Sequence, residues 1–388
     1  MRFKIKVCLT VLFVILILLA VKFYVLSPKE VKNKDDKEKE PKEILMDNPS
    51  VLPNWSNGKY HDYYGTTQML EDLNNKYKNL VNVFSIGKSV QGKDIWCIKI
   101  TNENNNSRKF SCLIDGCIHG YEWESGEACL YLAEYLVINY CYNNTVSNIL
   151  NNSDIYLVPI LNPDGRQKDD RWNDNGIDLN RNFDADFGRL KSFNLPLGKL
   201  FGIIKIPKIE FPRLGIMYLN CGRYPFSEPE TRALRDLANR LSSKDFSFYV
   251  NCHTALHFLS SVCNVNYKPE FTVTNHERDI FNSVLDWVGE NTEYSPLYGE
   301  QYQHAGFGSS QDWIFKKFRI VSFTFEMLNK DYDPGYNPGG RHDRLVHWMK
   351  TTLPVFLYLL VNIGNLHDWK VTDIEPPLPE GVPPPPFK

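Results

Sequence analysis

His119 and Glu122, in the stretch Ile118-His119-Gly120-Tyr121-Glu122-Trp123, are two zinc-type ligands three residues apart. A catalytic zinc takes three protein ligands and keeps one position open for water, so this pair offers two of the three. Two further segments end in residues of the same chemistry. Phe248-Tyr249-Val250-Asn251-Cys252-His253 reads as a strand finishing in a histidine, a position from which a third ligand can be presented at the sheet's edge, and Phe323-Thr324-Phe325-Glu326 reads as a strand finishing in a carboxylate. Between them and the first pair lie Asn162-Pro163-Asp164-Gly165 and the polar run from Arg171 to Phe183. Taken alone, each piece has a plainer explanation. A histidine followed by a glutamate three residues on arises by chance, Asn-Pro-Asp-Gly is a turn signal, and a histidine at a strand end commonly only packs. His253 and His257 also have the spacing of a helical zinc pair, but Thr254 stands where such a helix carries its glutamate. Cys117 and Cys252, close to the candidate ligands, read as small core residues.

These residues need a scaffold, and the hydrophobic pattern supplies one. Helical spacing runs over Thr67–Tyr77, Gly126–Tyr140, Glu228–Leu241 and Arg278–Glu290. Strand-like runs cover Val81–Ile86, Ile95–Thr101, Phe110–Asp115, Asp154–Leu161, Phe246–His253 and Arg319–Glu326. Strands alternating with helices predict an α/β layered fold on a mixed, largely parallel sheet, a three-layer α/β/α arrangement. Thr351–Ile363 is apolar but short and interrupted by Pro354, so a buried terminal helix is expected there.

Together and in this order the segments resemble the zinc metallocarboxypeptidases of the carboxypeptidase A/B type, from about Tyr60 to Leu366. Ile86-Gly87-Lys88-Ser89-Val90-Gln91-Gly92-Lys93-Asp94-Ile95 looks like that family's early strand-turn-strand motif, and His119-Gly120-Tyr121-Glu122 matches its first metal motif. Asn162-Pro163-Asp164-Gly165 matches its characteristic turn, and Asp178-Leu179-Asn180-Arg181-Asn182-Phe183 is the most specific match. Pro225-Phe226-Ser227-Glu228-Pro229-Glu230-Thr231 and Gly308-Ser309-Ser310-Gln311-Asp312-Trp313 complete the series. The resemblance implies one zinc ion per chain held by His119, Glu122 and His253, with Glu326 as the general base. It implies Arg171, seven residues before Asp178, as the group that polarises the scissile carbonyl, and Asn180 and Arg181 as the grip on the substrate's terminal carboxylate. The chemistry suits these types: a base must lie within hydrogen-bond reach of the attacking water, and arginine's planar fork recognises a carboxylate in bidentate fashion.

Two positions depart from the clean pattern. The family's mobile, substrate-contacting tyrosine has two candidates here, Tyr298 and Tyr302, of which Tyr302 is preferred. The position that tunes the terminal-residue pocket corresponds to Gln311, which selects neither apolar nor basic termini. An insertion-like stretch between Asp184 and Tyr224 is apolar and basic, and is expected to cap the cleft, to rest on a membrane surface, or to pack as a hairpin on its own domain.

The termini differ from the middle. Arg2, Lys4 and Lys6 precede an apolar run reaching Leu26, long enough for a membrane helix and not followed by a small-x-small cleavage site. Residues 1–26 are therefore expected to be an uncleaved transmembrane anchor with the rest of the chain outside the cytoplasm, secretion after cleavage being the alternative. Residues 27–54 form a charged spacer, 55–366 the catalytic domain and 367–388 a proline-rich tail. A net charge of −2 over 388 residues gives no bias towards nucleic acid. Nine cysteines, one of them Cys8 in the apolar run, include no CxxC pair. The expected partners are peptide or protein C-termini, and the membrane through the first segment. The competing expectations keep the zinc but change the substrate to γ-glutamyl or diamino-acid cell-wall peptides or N-acyl amino acids, or make the domain a catalytically silent binding module.

Overall fold

Asp62 opens the first element: its carboxylate accepts the Gly65 N–H at 2.7 Å, so helix α1 (Tyr63–Lys76) starts earlier than the expected Thr67. The structure is a computed structural model that describes residues 60–187, 220–262, 272–298, 308–329 and 345–372. The expected anchor at 1–26, the charged spacer, most of the insertion between Asp184 and Tyr224, Tyr302, and the proline-rich tail beyond residue 372 lie outside those residues. Among the described residues, no helix is long and apolar enough to cross a membrane.

After α1 the chain forms β1 (Val81–Lys88), β2 (Asp94–Ile100), β3 (Phe110–Asp115), α2 (Trp123–Asn139), α3 (Asn144–Asn152), β4 (Ser153–Val158) and the short α4 (Pro163–Lys168). A 3-10 turn (Leu179–Arg181) precedes α5 (Pro229–Leu241), β5 (Phe246–Ser260), α6 (Asn275–Asn291), β6 (Ser295–Leu297), α7 (Ser310–Phe318), β7 (Val321–Asn329), α8 (Leu345–Val361) and α9 (Ile363–His367). The sheet order is β1-β2-β4-β3-β5-β6, with β7 paired to β5. β1, β2 and β4 pair antiparallel, whereas β4, β3 and β5 run parallel.

β5 is longer than its pattern predicted and doubles back. Its register against β7 climbs from Phe248↔Val321 to Thr254↔Met327, then descends from Phe258↔Glu326 to Ser260↔Thr324. The first half is thus parallel to β7 and the second antiparallel, which makes the sheet mixed, as expected, and eight-stranded if the halves are counted apart from the seven elements. His257, with φ 61°, takes a left-handed conformation in the reversal.

Alternate strand residues face opposite helical layers, the period-two signature of a sheet covered on both sides. Cys112, Ile114, Ile155, Leu157, Phe248 and Val250 pack with α1, α2, α3, α6 and α8 in one core. Leu113, Tyr156, Val158 and Tyr249 pack on the other side with Leu234, Leu237 and Leu241 of α5 and Trp313 and Ile314 of α7. The expected terminal helix is α8, which runs through Pro354 and buries Leu353, Phe356, Leu357 and Leu360. Asn-Pro-Asp-Gly, expected as a turn, forms the start of α4: Asn162 caps it by accepting the Gly165 N–H at 2.9 Å, and Pro163 takes the first helical position. The seven described cysteines are free thiols, and all but Cys141 are buried.

Candidate active site

Parallel strands β3, β5 and β7 end on the same side, where open α/β sheets bind ligands. β3 leads into the loop carrying His119 and Glu122. His253 lies on β5 directly opposite Glu326 on β7, their Cα atoms being register partners. The loop after β3 is held by Ser125, whose hydroxyl accepts the Cys117 N–H at 2.8 Å and donates to the Glu122 carbonyl at 2.6 Å. Glu122 is the N-cap of α2, yet its side chain makes no capping bond. That leaves the carboxylate for the histidines, at the helix end that favours negative charge.

The carboxylate lies between two imidazoles: Oε1 is 2.8 Å from His119 Nδ1 and Oε2 is 2.8 Å from His253 Nδ1. All three side chains are buried, and their donor atoms lie within 4.8 Å of one another, forming a group able to hold a metal ion. Burial alone would raise the Glu122 carboxyl, but the two histidines hold it well below the usual carboxylate range. Burial would likewise lower His253; Glu122 and then Glu326 outweigh it and raise the imidazole above its ordinary value.

Asp178 orients the other side of this cluster. Its Oδ1 lies 3.2 Å from His119 Nε2, and its Oδ2 accepts from Arg171 Nε at 2.9 Å. Arg171 Nη1 lies 3.2 Å from His119 Nδ1 and donates to the Tyr121 hydroxyl at 3.3 Å, so the guanidinium borders the metal group. Burial would raise Asp178, but Arg171 and His119 hold its carboxyl well below the ordinary range. Burial and the Glu122 charge push the Tyr121 phenol up to about 12.

Asp178 also caps the 3-10 turn by accepting the Asn180 N–H at 3.1 Å. Asn180 Nδ2 sits 3.1 Å from His253 Nε2, while its Oδ1 accepts the Ser310 N–H at 3.0 Å. Arg181 is buried and donates to the Asn180 carbonyl at 2.7 Å. Gly308, at φ 72°, lies against Arg181, and a Cβ there would come within 2.3 Å of the Arg181 carbonyl oxygen. Gly120 packs as closely on Gly165, where a Cβ would come within 2.0 Å of the backbone. These two glycines explain why the motifs carry them: each lets one site segment touch the backbone of another.

Gln311 is buried, with its amide donating to the Ser260 carbonyl at 3.3 Å and accepting from the Thr324 hydroxyl, two residues from Glu326. Of the residues named from sequence, His119, Glu122, His253, Glu326, Arg171, Asn180, Arg181 and Gln311 are therefore brought to one end of the sheet. Tyr302 lies outside the described residues, and Tyr298 is turned to α6, its hydroxyl donating to Asp286 at 2.5 Å. His257 donates to the Glu293 carbonyl at 2.9 Å, and Cys117 and Cys252 pack in the core. Among the described residues neither His257 nor a cysteine joins the metal group. Asp178 and Tyr121 received no role from sequence, although both sit inside the matched motifs; only the fold reveals what they touch.

The donor set fits zinc. Two imidazole nitrogens and a carboxylate are ordinary ligands, bonds of about 2.0–2.2 Å to each place such donors a little over 3 Å apart, and three ligands leave a fourth position open. His119 has its second nitrogen against a carboxylate, the arrangement that orients a ligating imidazole.

Comparison with known proteins agrees with this geometry. The family model described as "Zinc carboxypeptidase" matches residues 66–202 and 212–338. Carboxypeptidase B2 of Bos taurus is 24% identical over 304 residues, covering 73% of this chain and 67% of that protein. The chain thus spans about two thirds of the length of that relative. The crystal structure of thrombin activatable fibrinolysis inhibitor superposes with a TM-score of 0.60 at 21% identity, covering 80% of this chain and 75% of that one. Carboxypeptidase A from Helicoverpa armigera gives 0.55 at 21% identity, covering 81% and 75%. These structural likenesses establish a shared fold.

Proposed function

The chain belongs to the zinc carboxypeptidase family and is with it a zinc metallopeptidase; from that premise we propose that it removes residues from the C-termini of peptides or proteins. The observation that carries the reading is the pairing of His253 with Glu326 across β5 and β7, beside a turn that presents Asn180 and Arg181. Zinc held by His119, Glu122 and His253 would supply a Lewis acid and lower the pKa of water from 15.7 to about 7. Glu326 takes the proton of the attacking water and returns it to the leaving amine. Arg171, kept charged and oriented by Asp178, donates to the carbonyl oxygen as negative charge develops there. Arg181 and the Asn180 amide hold the free α-carboxylate, which restricts cleavage to the last peptide bond. Gln311 lines the terminal-residue pocket and, with both ends of its amide engaged, makes that wall polar.

Terminal recognition has a direct test. Arg181→Ala should lower kcat/KM for peptides with a free C-terminus by about 10–100-fold, the worth of a charged hydrogen-bonded contact. Amidated counterparts should lose far less; an equal loss on both refutes the exopeptidase reading. A panel that also holds γ-glutamyl, cell-wall and N-acyl substrates checks the substrate class, and preferential turnover of those would replace the peptide assignment.

Residues 1–26 we read as a membrane anchor with the catalytic domain outside the cytoplasm, on the basic residues that precede the apolar run. The full chain should then stay with membranes through alkaline carbonate extraction. Recovery in the soluble fraction with its N-terminus removed would assign the segment as a cleaved signal.

A further inference from the structure

We propose that Asp115 and Asn251 are positioning residues that select the tautomer of His253 and so free its Nδ1 for the metal. This inference rests on the zinc-site reading above. Asp115 closes β3, Asn251 lies opposite it on β5 as its register partner, and both are fully buried. Asn251 Nδ2 donates to Asp115 Oδ2 at 2.9 Å. Its Oδ1 meets His253 Nε2.

The orientation of that amide follows from the chemistry of its neighbour. Asp115 Oδ2 accepts the amide N–H of Asn251, and with the amide nitrogen so engaged its oxygen is turned towards the imidazole. An oxygen there requires a proton on Nε2. The neutral ring then carries its lone pair on Nδ1, the nitrogen 2.8 Å from the other ligand, Glu122.

A competing contact makes this selection necessary. Asn180 Nδ2 lies 3.1 Å from the same Nε2, and since its Oδ1 accepts from the Ser310 N–H, it presents N–H to the ring. Were Nε2 to accept that bond, the proton would move to Nδ1 and close the metal position. Asp115 and Asn251 decide against that tautomer. With Nε2 protonated, the Asn180 N–H finds no acceptor on the imidazole and remains for the substrate carboxylate. The two histidines are therefore oriented by different means. Asp178 does it directly for His119, whereas for His253 an amide stands between carboxylate and ring. The interposed amide keeps a further negative charge away from Glu122 and Glu326, which already flank His253.

Zinc affinity, measured by chelator competition, tests the relay. Asn251→Ala and Asp115→Asn should each weaken binding by about 10–100-fold, the usual effect of losing a group that orients a ligand. The double variant should bind no more weakly than Asn251→Ala alone, because Asp115 acts through Asn251; additive losses would overturn the relay. If Asp115→Asn does not fold, Asn251→Asp serves instead. It restores an acceptor for the Nε2 proton, so it should recover affinity relative to Asn251→Ala, and equal affinity in the two would overturn the proposal. Wild-type protein that binds no zinc would refute the zinc-site reading itself. Wild-type that binds zinc, with affinity unmoved in the variants, refutes only the relay.

Discussion

Glu326 and Glu122 are both carboxylates at one end of the sheet, and the proposed function gives them opposite duties. Glu122 lies between two imidazoles that hold it ionised and engaged. Glu326 stands one strand away, opposite His253, and is half-buried at the cleft end of β7. Replacing Glu326 by Gln should therefore lower kcat by about 10²–10⁴ while the purified protein still carries one zinc by metal analysis. Retained activity would remove the base, and lost zinc would make Glu326 a ligand. At this scale the three residues of the metal group could be read from the sequence, because two of them share one loop and the third ends a recognisable strand. The sequence did not show Asp178 holding His119, or Asn251 facing His253. The first joins residues 59 positions apart, and the second depends on Asp115 of a neighbouring strand engaging the Asn251 amide.

The longer elements were legible where burial is periodic. β3 matches its expected bounds, and α2 and α5 differ from theirs by a few residues, since alternating or helical apolar spacing fixes them. What escaped is short or aperiodic: the nine-residue α3 and α7; α4, disguised as a turn; the five-residue α9; the three-residue β6; and the return half of β5, whose reversal at His257 breaks the alternation. α5 also performs a task that its apolar stripe does not reveal. Glu230, in its first turn and fully buried, accepts the Val90 N–H at 3.0 Å and the Asn173 amide at 3.1 Å, tying the loop after β1 to the segment behind Arg171. Burial raises its carboxyl from 4.5 to about 7. Between those values the folded protein keeps a proton that the unfolded chain has released, so stability falls as pH rises through that window and is flat above it. Glu230→Gln removes this dependence. Its unfolding free energy should change less than the wild type's between pH 5 and 7.5, by up to about 3 kcal/mol, whatever offset the substitution adds at both. Parallel slopes in urea titrations at the two pH values would show that Glu230 does not titrate there.

For the whole molecule, a metal ion in this group would act as a staple between segments that backbone bonding joins only in part. His119 and Glu122 come from the loop between β3 and α2, and His253 from the point where β5 begins its reversal beside β7. Without a cation, the site buries a carboxylate whose balancing charge must come from the histidines or Arg171, and each of those is itself desolvated. A divalent ion held by these residues would supply that charge at one point and tie both segments to it. Ligand that binds only the folded chain adds stability by mass action, about 4 kcal/mol at a thousandfold excess over Kd. For a domain of this size that is a rise in Tm of several degrees. Zinc-loaded protein should therefore unfold at a clearly higher temperature than chelated protein. Glu326→Gln should keep the increment, because it removes a base and not a ligand, and Glu122→Ala should lose it. Coincident unfolding of loaded and chelated wild type would mean that the three ligands do not close on a metal in the folded state. An increment surviving in Glu122→Ala would place the stabilising ion elsewhere in the chain.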